Sequence, residues 1–121
     1  MSCNSCQKGK RCERQWRDML RAAGFLKARR GRQYSGSPDS PDVICPELAW
    51  VHMEVKCVEH LNLRDAMEQS IRDAGDTEVP IVAHKRNNSE WLVTMRAEDW
   101  LYLVRQTDPD RNPPGDIDGM I

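Results

Sequence analysis

Residues 79–83 read VPIVA, a nearly continuous apolar run. Such a run is the pattern of a strand covered on both faces, so the chain needs a sheet with helices packed on either side. The surrounding sequence supplies both. From Gly9 to Ala23, the apolar positions Cys12, Trp16, Met19, Leu20 and Ala23 recur at helical spacing, with arginines on the outer face. Gly24 supplies the stop, and Phe25 to Arg30 can form a first strand. Residues 31–41, GRQYSGSPDSP, are a loop by composition. DVIC and WVHMEVKC, separated by the breaker Pro46 and Glu47, then predict a hairpin. With its turn centred near Leu48, antiparallel pairing sets Asp42 opposite Glu54.

Asn62 is a helix N-cap, with Asp65 in the first turn. Leu63, Ala66, Met67, Ser70, Ile71 and Ala74 form that helix's inward stripe, and Gly75 ends it. After VPIVA come the turn RNNSE, a strand WLVTM and a final short helix AEDWLYLVR. The order α-β-β-β-α-β-β-α describes an α/β fold, a mixed sheet flanked by helices. Residues 1–8 read as a flexible arm, 9–104 as the folded domain and 105–121 as a disordered tail rich in Pro, Gly and Asp.

The chain has 121 residues, 39% of them apolar and 31% charged, which suits one modest core and excludes a wholly disordered protein. No window approaches the roughly 20 consecutive apolar residues of a spanning helix, so no membrane association is expected. The basic start MSCNSCQKGKRCER leads into no apolar segment of the kind a secretory signal carries, so the expectation is a cytoplasmic protein. The net charge of −1 conceals a segregation: residues 1–33 hold ten Lys and Arg against Glu13 and Asp18, a balance of +8, and the remainder hold eight basic against seventeen acidic, a balance of −9. A basic surface for a polyanion beside an acidic part able to hold a cation fits this pattern, as does a merely solvated surface.

Alternation along WVHMEVKC sends His52, Glu54 and Lys56 to one face and Val51, Met53, Val55 and Cys57 to the other. The second face suits the core. The first carries a carboxylate and an ammonium two residues apart, with Asp42 at the head of the neighbouring strand. Two carboxylates so placed can share a hard divalent cation, and Lys56 can orient a water or stabilise charge developing on phosphorus. Glu13, beside the stripe of the first helix, can turn toward the same metal or pair with Arg17 one turn on. A Glu-x-Lys pair alone is equally the mark of a solvated strand face.

The segments ERQWRDMLRAAGF, RRGRQYSGSPDSPDV, HMEVK, NLRDAMEQSIRDAG, VPIVAHKR and WLV, taken in order, resemble the PD-(D/E)xK nuclease superfamily, and among its members the archaeal-type Holliday junction resolvases and their phage or prophage relatives. The resemblance covers roughly residues 9–104. It implies a restriction-endonuclease-like fold and a Mg²⁺-dependent endonuclease (Mn²⁺ a possible substitute) that cuts branched DNA as a homodimer, one active site per subunit. Carried over by position, the superfamily's helical acid falls on Glu13, its motif aspartate on Asp42 (Asp39 being the second choice), its Glu-x-Lys pair on Glu54 and Lys56, and its polar helix residue on Gln69. Asp42 and Glu54 are then the metal ligands. Two rival functions stand beside the resolvase: a related phage nuclease acting on nicked, flapped or plain duplex DNA, and a non-catalytic, zinc-ordered DNA-binding module.

Arg29, Arg30, Arg32, Gln33, Tyr34 and Ser35 precede the motif aspartate and are the expected DNA contacts, made to backbone phosphates rather than bases. Lys8, Lys10 and Arg11 can extend that track; His84, Lys85 and Arg86 are weaker candidates. Cys3, Cys6 and Cys12 offer three thiols, one fewer than a closed structural zinc site uses, so reduced, free cysteines are expected in preference to zinc. Cys45 and Cys57 read as small apolar residues, His52 as a half-exposed strand residue, and Trp16, Trp50, Trp91 and Trp100 as core or dimer-interface residues.

Overall fold

The computed structural model describes residues 2–31 and 41–107, the side chains of residues 2–7 excepted. Over these described residues it is a mixed α/β fold, with a five-stranded open sheet and three helices. In chain order the elements are α1 (Ser2–Ala22), β1 (Arg29–Arg30), β2 (Val43–Ile44), a 3-10 turn (Pro46–Leu48), β3 (Val51–Cys57), α2 (Leu63–Asp73), β4 (Val79–Lys85), β5 (Leu92–Met95) and α3 (Ala97–Thr107). The strands lie in sequence order across the sheet; β3 and β4 are parallel and every other neighbouring pair is antiparallel.

Helix α1 starts at Ser2, not Gly9, so the segment read as a loose arm is helical from its second residue. Residues 2–8 lack an inward apolar stripe, which hides them from a periodicity argument, but nothing before Gly9 breaks a helix. The other end follows the sequence signal closely. Gly24 adopts a positive φ of 108°, its amide donates to the Arg21 carbonyl at 3.0 Å, and the Phe25 amide donates to that of Leu20 at 3.0 Å, the paired bonds of a Schellman stop. The chain then turns, with the Ala28 amide on the Phe25 carbonyl, and the expected six-residue first strand shrinks to Arg29–Arg30.

Cys12, Trp16 and Leu20 bring α1 onto one face of the sheet, against Val43, Met53, Val55, Ile81 and Ala83. Met19 and Ala23, the other members of the expected stripe, lie outside this contact and are exposed. The Trp16 indole N–H donates to the Met53 sulfur at 3.4 Å, and its ring lies 5.2 Å from that of Trp91. Alternation turns Pro80 and Val82 to the opposite face, which α2 covers with Ala66 and Ser70. Strand β4 is therefore buried on both sides, as its apolar run requires. The Asn62 side chain caps α2 through the Asp65 amide at 3.1 Å.

Cys12 and Cys57 form a disulfide, in place of the free thiols expected from sequence. Cys45 is the free, buried cysteine among the described residues. With its sulfur bonded to Cys57, Cys12 is lost to any zinc site built with Cys3 and Cys6, whose side chains lie outside the description.

Helix α3 is held differently. It buries no residue, and Trp100, Leu101 and Tyr102 are exposed, as are Leu92 and Val93 on the edge strand β5. An Arg96–Asp99 ion pair of 2.8 Å fixes its first turn. Among the described residues, no helix is long and apolar enough to cross a membrane.

Candidate active site

The pairing expected from sequence is the one present: Val43 lies opposite Met53, which places Asp42 beside Glu54. Three hydrogen bonds fix Asp42. Its amide donates to the Met53 carbonyl at 3.1 Å, its carbonyl accepts from the Gly31 amide at 2.9 Å, and its Oδ2 accepts from the Val55 amide at 2.9 Å. The last bond is informative. β2 begins only at Val43, so among the described residues no strand pairs with β3 beyond it on that side, and the Asp42 carboxylate accepts from the Val55 amide as a strand carbonyl would. The Gly31 backbone packs directly on the Pro41 carbonyl, where any Cβ would collide, so this close approach requires glycine.

Glu54 is buried, at 2% exposure, and lies within hydrogen-bonding reach of Asp42. Burial first, and then the Glu54 charge, push the Asp42 carboxyl up to about 7; the Val55 amide opposes the shift, and the Glu13 charge and the hydrogen bond with Glu54 add to it. The desolvated Asp42 carboxyl, beside a second carboxylate, favours its protonated form or a nearby cation. Glu13 stands nearby on α1 and is held by Arg30, whose Nε donates to its Oε1 at 3.0 Å. It does not pair with Arg17, which bonds the adjacent Asp18. Glu13, Asp42 and Lys56 line one cavity of about 450 Å³, with Val55 and the Cys12–Cys57 disulfide in its wall. Among the described residues the Lys56 side chain forms no hydrogen bond or ion pair, so its ammonium is available to whatever enters.

Sequence reasoning missed two members of the cluster. His52 is not half-exposed; it is 1% exposed, with Nε2 at 3.1 Å from Glu54 Oε1 and Nδ1 at 3.8 Å from Glu78 Oε1. Burial works against its charged form, but the hydrogen bond and charge of Glu54, with the charges of Glu78 and Asp73, prevail and raise its pKa. Asp73, at the end of α2, completes a group with His52 and Glu54 whose ligand atoms lie within 4.8 Å of one another. Alternation had placed His52 on the face of Glu54; only the helix covering that face buries it. Gln69 precedes Asp73 by one turn on the same side of α2 and is half-buried, and among the described residues it bonds none of the acids.

The donor set divides by chemistry. Asp42 and Glu54, with Glu13 close by, offer only carboxylate oxygens, the ligands Mg²⁺ and Mn²⁺ prefer. His52, Glu54 and Asp73 add an imidazole nitrogen, which suits Mn²⁺ or Zn²⁺ better than Mg²⁺. Glu54 belongs to both groups. Of the expected DNA contacts, Arg29 is exposed and Arg30 is occupied with Glu13; Arg32, Gln33, Tyr34 and Ser35, like Asp39, lie outside the described residues. Compared with family models, curated proteins and solved structures, the chain matches none.

Proposed function

We propose that the chain is a metal-dependent, structure-specific endonuclease of the PD-(D/E)xK type that hydrolyses phosphodiester bonds in branched DNA, with the four-way Holliday junction as its substrate. The observation that carries this reading is the convergence of Glu13, Asp42 and Lys56 on one cavity, with Glu54 against Asp42. Two acids and an amine drawn from a strand head and a Glu-x-Lys strand are the set the superfamily resemblance requires. The mixed sheet with α1 and α2 on opposite faces is compatible with a restriction-endonuclease-like fold.

In this reading Asp42 and Glu54 hold Mg²⁺, which when bound supplies a polarised phosphoryl oxygen and a water of lowered pKa. The protein does the rest. Arg30 holds Glu13 at the cavity's edge, the Val55 amide fixes the direction of the Asp42 carboxylate, and the disulfide fastens the helix of Glu13 to the strand of Lys56. Lys56 aligns a water with the phosphorus and offsets charge on the phosphoryl oxygens as the bond breaks. A symmetric dimer matches the two-fold symmetry of a junction, and the exposed apolar residues of β5 and α3 give such a dimer a surface.

The test is cutting of a mobile four-way junction against nicked, flapped and linear duplexes of the same sequence, with Mg²⁺, with Mn²⁺ and with chelator. Metal-dependent cutting of the junction alone is expected, with Asp42→Asn and Lys56→Ala still binding it but leaving it intact. Equal cutting of linear duplex removes the junction from the proposal. Full activity in both variants removes the site, and no product from any DNA removes the nuclease.

A further inference from the structure

We infer that a second, basic cavity beside the acidic one is a cradle for the neighbouring phosphodiester of the same DNA strand, an inference that rests on the nuclease reading and deepens it. This cavity, of about 290 Å³, lies between α1 and the turn joining β4 to β5. Lys8 and Arg11 line it from the helix, Lys85 from the end of β4, and Arg86, Asn87 and Asn88 from the turn. No carboxylate lines it, and among the described residues none of its four cations has an ion-pair partner.

Sequence alone separates these residues, because some 70 positions lie between Arg11 and Lys85; the parallel pairing of β3 with β4 brings them together. Like charges gathered around a concavity repel one another unless an anion lies between them, so the arrangement marks an anion site. Its geometry is held from several directions. The Ser89 amide bonds the Arg86 carbonyl at 3.2 Å, Asn88 takes the left-handed conformation at φ 58°, and Glu59 accepts from the Asn87 amide at 2.6 Å. Lys85 rests over Trp91, its ammonium 5.8 Å from the ring centre, which limits where that amine can go.

The two cavities share Lys8 and the Cys12–Cys57 disulfide as a common wall. A strand that presents one phosphate to Asp42 and Glu54 therefore carries the next into the basic cavity. Lysine, arginine and asparagine there contact backbone oxygens, which position a strand without reading its bases. The cradle fixes where along the strand the cut falls relative to its neighbour, and it selects a path of the backbone, not a sequence.

The experiment measures binding of a labelled four-way junction and a linear duplex in chelator, across a salt series, for the full chain, for a Lys85→Ala/Arg86→Ala double variant, for Arg11→Ala, and for the exposed α2 control Arg72→Ala. Thermal melts confirm that each variant folds. The double variant is expected to bind about tenfold more weakly and to lose about one unit of the log–log salt slope, as removal of one phosphate contact demands. Arg11→Ala should show a smaller loss and Arg72→Ala none. Affinity and slope equal to wild type in the cradle variants overturn the inference, and so does the same loss in Arg72→Ala. Because no cutting is needed, the two readings fail separately: DNA bound through these residues but never hydrolysed leaves the cradle and sinks the nuclease, whereas junction cutting with unchanged binding by the variants does the reverse.

Discussion

Helices α1 and α3 are both amphipathic and both belong to the same small domain, yet they are held in opposite ways. α1 sinks Cys12, Trp16 and Leu20 into the core and is fastened to β3 by a disulfide; α3 buries nothing and leaves Trp100, Leu101 and Tyr102 in solvent. The difference tracks which helix brings a side chain to the acidic cavity. α1 delivers Glu13 to a cavity whose other groups come from β3 and the head of β2, and a carboxylate is useful there only if its helix cannot drift. α3 brings no group to that cavity, and its apolar side is exposed, the surface that a dimer of the kind proposed above would use.

The contrast is broken or sharpened first at Trp16. Removing its side chain opens the interface with Met53 and Trp91, and Trp16→Ala is expected to cost about 3–5 kcal/mol in denaturant unfolding. A loss below about 1 kcal/mol would mean that the disulfide, not packing, holds α1. The disulfide comes next. It closes a loop spanning 45 positions, for which loop-closure entropy gives an upper estimate of about 4 kcal/mol. Cys57→Ser and reduction of the wild type should lower stability by similar amounts, and reductant should leave the variant unchanged. A variant as stable as oxidised wild type would show that the crosslink adds nothing to the packing.

How much of this was open to sequence reading depends on the range of the forces involved. The hairpin register followed from two short runs around one turn, and the Asn62 cap and the Gly24 stop from residues adjacent to the backbone groups they satisfy. Glu13, Asp42 and Lys56 were singled out and do share a cavity. The disulfide was half-visible: the helical stripe turned Cys12 inward and alternation turned Cys57 to the same core, but only the packing of α1 on β3 says that they meet. The burial of His52 and the approach of Asp73 depend on α2 crossing the Glu54 face, which no local pattern encodes. The same holds for the pairing of Arg30 with Glu13 in place of DNA, because those residues are neighbours only across the α1–β1 contact.

A third test lies at the carboxylates that α1 helps enclose. The raised Asp42 pKa means that the folded protein favours the protonated acid: its contribution to stability is fully present below the ordinary carboxyl value of 3.8 and is lost as pH rises through about 7. Asp42→Asn keeps an oxygen for the Val55 amide and removes the charge. The variant is therefore expected to be more stable than wild type at neutral pH in chelator, with the gap closing toward pH 4. Mg²⁺ should raise the melting temperature of the wild type and leave that of the variant unchanged. A gap that does not vary with pH would place the burial of Asp42 in doubt.

The smallest expected effect on the monomer is at Trp100. Its ring is 54% exposed and α3 contributes nothing to the core, so Trp100→Ala should change unfolding stability at low protein concentration by no more than about 0.5 kcal/mol. A cost like that of Trp16→Ala would erase the comparison between the two helices. The same side chain becomes important only if α3 and the β5 edge meet a second copy. In that case wild type sediments as a dimer, Trp100→Glu sediments as a monomer with an unchanged circular dichroism spectrum, and its junction cutting falls because two sites no longer act on one DNA. Wild type that stays monomeric at every concentration removes the dimer from the proposal. The acidic cavity would be untouched by that result, because every group described around it belongs to one chain.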